Sequence, residues 1–186
     1  MSLYRLSIAL LGLTIYGPAS SADGGKAANP RQDACIAGIN ERTAALVAQD
    51  WQSLERFSEK YVRTCKGVFD AEDFSGAYEG IADANIALGN PKKAIAAADA
   101  CIATFYANTG CQLQRAVALI ELKRLPEARS ALDRAEKLIA HRAETARRDL
   151  KTVGQGQGKE LVEANINKLE AQQSHATALR GKYFPE

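Results

Sequence analysis

IALGNPKKAIAAADA, residues 86–100, is answered by IELKRLPEARSALDR, which begins at Ile120, 34 positions after Ile86. Laying residues 75–101 over 109–135 without a gap aligns Ala82 with Ala116, Ala84 with Ala118, Ile86 with Ile120, Leu88 with Leu122, Ala94 with Ala128, Ala97 with Ala131 and Asp99 with Asp133. Small residues recur at the eighth, twentieth and twenty-seventh positions of the copies: Ala82, Ala94 and Cys101, then Ala116, Ala128 and Ala135. That spacing sets a small side chain on one helix opposite another on the next, so the two backbones can approach closely. Between the helices lie Gly89-Asn90-Pro91 and Lys123-Arg124-Leu125-Pro126. Glycine ends a helix in a left-handed conformation, and proline is tolerated in the first turn of the next. Each copy therefore reads as a helical hairpin.

The composition agrees. Hydrophobic residues make up 46% and are dominated by alanine, aromatics are only 6%, and runs of Val, Ile and Thr are missing, which favours helices over strands. A 34-residue period with two helices per unit resembles the tetratricopeptide repeat. Tyr78, Ile81-Ala82, Leu88-Gly89, Ala94 and Ala128 carry the resemblance; Gln112, Arg115 and Lys123 depart from it. The resemblance implies an all-α fold: an α-solenoid of antiparallel hairpins with two clear repeats, one degenerate N-terminal hairpin and a C-terminal capping helix. Such units stack to bury their apolar faces, and two alone are marginal, so the flanks are expected to supply partners.

Upstream, residues 32–48 and 51–64 read as the degenerate hairpin, with Gln49-Asp50 at its turn and Trp51, Leu54, Phe57 and Tyr61 on one stripe. Downstream, a helix from Pro126 through Leu150 meets Gly154, Gly156 and Gly158, and a last helix from Lys159 to Arg180 follows as the cap. The expected organisation is a signal peptide over 1–22, a disordered segment over 23–31, the repeat domain over 32–151, a glycine-rich linker over 152–158 and the capping helix over 159–182. MSLYRLSIALLGLTIYGPASSA has the form of a cleaved secretory signal: Arg5, an apolar run from Leu6 to Tyr16, Gly17-Pro18, then small residues. Its apolar run falls short of the roughly 20 residues that a membrane-spanning helix needs. A secreted or periplasmic, bacterial protein with no membrane span after signal removal is the expectation.

Four cysteines in an exported chain are read first as two disulfides. Helical geometry selects Cys35–Cys65, side by side across the first hairpin, and Cys101–Cys111, flanking the connection between the two clear repeats. There is no C-x-x-C, which argues against a redox-active dithiol.

Chemistry is sparse. His141 and His175 have no histidine or cysteine at ligand spacing, so no metal and no zinc site is expected. No G-x-S-x-G or thiol-hydrolase signature occurs, and the glycines of 154–158 follow no strand, so no catalytic residues, no enzyme activity and no cofactor are expected. A net charge of +2 is too weak to imply nucleic acid. Acids concentrate early (Asp70, Glu72, Asp73, Glu79, Asp83), while the bases from Lys123 to Lys151 are interleaved with Glu127, Asp133, Glu136, Glu144 and Asp149. Such interleaving marks a solvated, ion-paired face.

The resemblance places Gly76, Glu79, Asp83, Ile86 and Ala87, then Gly110, Leu113, Val117, Ile120 and Glu121, along a concave groove. Its candidate partner-binding residues are Glu79, Asp83, Ile86, Leu113, Val117, Ile120 and Glu121. The lysines, arginines and asparagines that clamp a terminal carboxylate in one subfamily are missing there, so an apolar segment with a basic residue is the expected ligand. The competing expectation is that the chain's own C-terminal helix fills the groove. The leading functional expectation is an interaction module or assembly factor for a protein or peptide partner in the cell envelope. The alternatives are a self-associating solenoid, and so a homo-oligomer, or a small cofactor-free enzyme acting on a charged substrate.

Overall fold

The computed structural model describes residues 29–154 and 156–185. The expected signal segment, and residues 23–28 of the segment expected to be disordered, lie outside the described residues. Among those described there are seven α-helices and no strand: α1 (Pro30–Val47), α2 (Trp51–Thr64), α3 (Ala71–Ala87), α4 (Pro91–Thr104), α5 (Thr109–Glu121), α6 (Leu125–Leu150) and α7 (Gln157–Tyr183). Each helix packs on the next in sequence, and α5 also packs on α3 and on α7. The fold is all-α, as expected.

Side chains fix where most helices start. Asn29, Asp50, Asp70 and Asn108 accept backbone N–H groups of the helices that follow them, while Pro91 and Pro126 open α4 and α6. Two expected boundaries are corrected. Pro30 and Arg31, placed in the disordered segment, belong to α1, because Asn29 Oδ1 caps Arg31 N at 3.2 Å and Arg31 Nη2 reaches Lys66 O at 2.8 Å. Gly158, placed in the linker, lies in the first turn of α7, whose N-cap is Gly156 at φ +113°.

The three hairpin turns share one backbone solution. Gln49, Gly89 and Lys123 have φ of 54°, 75° and 60°. In each turn this residue donates to the carbonyl three positions back, and the next residue donates five back: Asp50 N to Ala45 O at 2.9 Å, Asn90 N to Asn85 O at 2.7 Å, Arg124 N to Leu119 O at 2.9 Å. This is the Schellman closure, which satisfies carbonyls that a helix end leaves orphaned. Only one of the three is glycine, yet all three turn alike.

The alanines that the spacing singled out are buried. Ala82, Ala94, Ala116, Ala128 and Ala135 are each 0% exposed. Ala82 clusters with Ala97 and Ala98; Ala116 shares a core with Ala128, Leu119, Leu132, Ile139 and Leu169. Where the first hairpin meets α3 the core is aromatic instead: the Tyr61 and Phe74 rings lie 6.1 Å apart, tilted by 33°, and Tyr78 meets Phe74 edge-on at 5.8 Å. Both expected disulfides are formed, Cys35–Cys65 with S–S 2.07 Å and Cys101–Cys111 with S–S 1.98 Å. The first ties α1 to the end of α2, the second ties α4 to α5.

Candidate functional site

The groove residues expected from the sequence divide into three groups. Ile86, Leu113, Val117 and Ile120 are buried, at 4%, 4%, 5% and 8% exposure. Glu79 and Asp83 are partly buried, and Glu121 is exposed at the end of α5. The first six come together under a single cover, α7; Glu121 stays outside it.

Glu79 and Asp83 stand one turn apart on α3, so both carboxylates point the same way. Asn108 Nδ2 donates to Glu79 Oε2 at 3.2 Å and to Ser75 Oγ at 2.9 Å, and Lys168 Nζ of α7 lies 3.7 Å from Glu79 Oε1. Gln114 Nε2 donates to Asp83 Oδ1 at 2.6 Å. Gly110 is what admits this arrangement, since a Cβ there would collide with the Glu79 carboxylate. Burial pushes the Asp83 carboxyl up to about 8, and the neighbouring Glu79 charge adds to the rise, against the Gln114 hydrogen bond and Lys168.

The cluster is incompletely satisfied. Gln114 Oε1 and Gln112 Nε2, both on α5, are buried with no hydrogen-bond partner. Buried amides left in this state cost about 1–3 kcal/mol each. Among the described residues no group of three or more His, Cys, Asp and Glu is placed to hold a metal ion.

The cover uses a mixed stripe. Lys168 pairs with Glu79, Gln172 Oε1 accepts from Thr109 Oγ1 at 2.7 Å, and Leu179 packs on Ile86, Ala94, Val117 and Ala118. Lys168, Gln172 and Leu179 follow at i, i+4 and i+11, one face of a helix. His175 falls on the same face by spacing, and burial holds its imidazole below the ordinary value. On its other side α7 lies against α6, through Leu169, Ala176 and Arg180, whose guanidinium reaches Asp133 and Glu136 at 2.6 Å each.

Sequence reading found the acids and aliphatics of this face but not Asn108, Thr109, Gln114, Lys168 or Gln172. The late bases were expected to be ion-paired, and several are: Arg142 with Glu72, Arg147 with Glu170, Arg124 with Glu127. An open depression lined by Lys92, Ile95, Leu122 and Arg124 carries no enclosed polar group. A second depression lies between α6 and α7, lined by Ile139, Ala143, Arg147, Leu169 and Gln173. His141 is exposed on α6.

Comparison of the chain with protein-family models, with curated proteins and with solved structures returns no match. The class that stands is an all-helical protein with two disulfides and, among its described residues, no helix long and apolar enough to cross a membrane.

Proposed function

We propose that this chain is an exported, periplasmic interaction module of tetratricopeptide-like hairpins that holds a helical segment of a cell-envelope protein on its α3–α5 face. One observation carries the reading: that face already accepts a helix, α7, through an ion pair, a buried hydrogen bond and an aliphatic contact. This is the helix-in-groove mode, in which apolar anchors supply affinity and a few polar pairs set register. The two disulfides fit an oxidising compartment. Three helical hairpins with a shared turn geometry support the repeat reading.

The test is site-specific photo-crosslinking in the periplasm, with the reactive group at Glu121, beside the face, or at Glu59, exposed on α2. The reading expects an adduct from position 121 and none from 59, with the crosslinked partner segment binding the purified chain as a synthetic peptide. Equal labelling from both positions, or a segment that fails to bind alone, refutes it.

A further inference from the structure

The contacts that seat α7 have two properties unusual for a permanent core element. They include polar groups, the buried Gln172 and the partly exposed Lys168, and they leave Gln114 Oε1 unpaired beside the Gln114–Asp83 hydrogen bond. The charged contact there is the Lys168–Glu79 pair at 3.7 Å, beside an Asp83 carboxyl that burial keeps protonated. Leu169, Gln172 and Ala176 are the buried residues among those of α7 whose burial is described. The helix has no side-chain cap at its start and joins α6 through Gly154 and Gly156, residues that can absorb a large backbone rotation. Neither disulfide reaches it.

We propose that α7 is a resident occupant of the α3–α5 face that a partner helix displaces. The partner presents an arginine or lysine to Glu79, beside Asp83, and an aliphatic side chain eleven residues later to Ile86 and Val117. The inference rests on the reading of this face as a helix-docking surface and specifies what docks. The register is copied from α7, where Lys168 and Leu179 make those contacts. Eleven residues of helix span about 16 Å, so both ends of the face are engaged at once. Arginine is the better ligand, because its planar fork can meet the Glu79 carboxylate through two parallel hydrogen bonds where an ammonium acts as a point charge. A free helix must compete with one that is tethered at an effective concentration on the order of millimolar, so the closed chain resists weak or unspecific ligands.

The experiment uses the full chain and, as probe, a labelled synthetic peptide of residues 157–185. Hydrogen exchange of the unmodified protein comes first and needs no variant: α7 amides are expected to exchange at least tenfold faster than those of α5. Fluorescence anisotropy then compares the unmodified chain with Lys168→Glu/Leu179→Asp, whose own α7 is loosened. The peptide is expected to bind the variant at least tenfold more tightly than the unmodified chain. A peptide carrying Lys168→Arg binds more tightly still, and one carrying Lys168→Glu does not bind. Exchange of α7 in step with α5 makes α7 an integral element and overturns displacement, leaving the docking reading to the crosslinking test. Fast exchange of α7 with no peptide captured by the variant overturns both.

Discussion

Helices α5 and α7 lie side by side, and they are held in opposite ways. Eleven of the thirteen residues of α5 are buried, whereas the 27-residue α7 has Leu169, Gln172 and Ala176 as its buried residues where burial is described. α5 packs on α3, α4, α6 and α7 and is cross-linked to α4; α7 leans on α6 and covers α3 and α5. The shorter helix is the one that every hairpin of the second half needs. Length therefore says little about how firmly an element is fixed; the apolar area it removes from water says more.

The difference can be broken by experiment, and the largest effect comes first. Leu119→Ala, at a 0% exposed site in α5, should lower stability by about 2–5 kcal/mol, seen as a lower urea midpoint at unchanged slope. Leu161→Ala, at a 58% exposed site in α7, should stay within about 0.5 kcal/mol. Equal costs would erase the contrast. Removing the second disulfide by Cys101→Ala/Cys111→Ala, which closes a sequence separation of 10, should cost about 3 kcal/mol and leave the exchange of α7 unchanged relative to α5.

Gly110→Ala should cost about 1–3 kcal/mol by driving the Glu79 carboxylate from its place under α7. The same change in a Glu79→Ala background should cost almost nothing, a coupling that a double-mutant cycle reads directly. The sign of the pH effect follows from Asp83, whose carboxyl is raised from 3.8 to about 8 in the folded chain. It stays protonated when folded but ionises when unfolded, so its contribution is complete below about pH 4 and is lost as pH climbs through about 8. Denaturation at pH 5 and pH 8 should show a decline for the natural chain that Asp83→Asn flattens. One change should bring a gain: Lys123→Gly, at φ 60°, should stabilise by about 0.5–1 kcal/mol.

The helices and both disulfides were legible in the sequence because each rests on local spacing. The 34-residue recurrence fixed the register of α3 to α6, and antiparallel neighbours then brought Cys35 to Cys65 and Cys101 to Cys111. What stayed hidden was long-range and polar. Asn108 meets Glu79 across 29 residues, Gln114 meets Asp83 across 31 and Thr109 meets Gln172 across 63. No period announces such pairs, since a single glutamine or lysine on a helix reads as solvent-facing until its neighbour is known. The start of α1 was missed for a different reason: Asn29-Pro30 is a capping pair that resembles a loop until Asn29 is seen to accept from the helix.

The common turn has a consequence for how such a chain can vary over time. Its path at Gln49, Gly89 and Lys123 is set by two backbone hydrogen bonds and one left-handed residue, with no side chain required. The amino acid there can drift at a modest cost while the geometry persists. Such a turn constrains its sequence only through the backbone, so any residue that tolerates the left-handed region at that cost can close the hairpin.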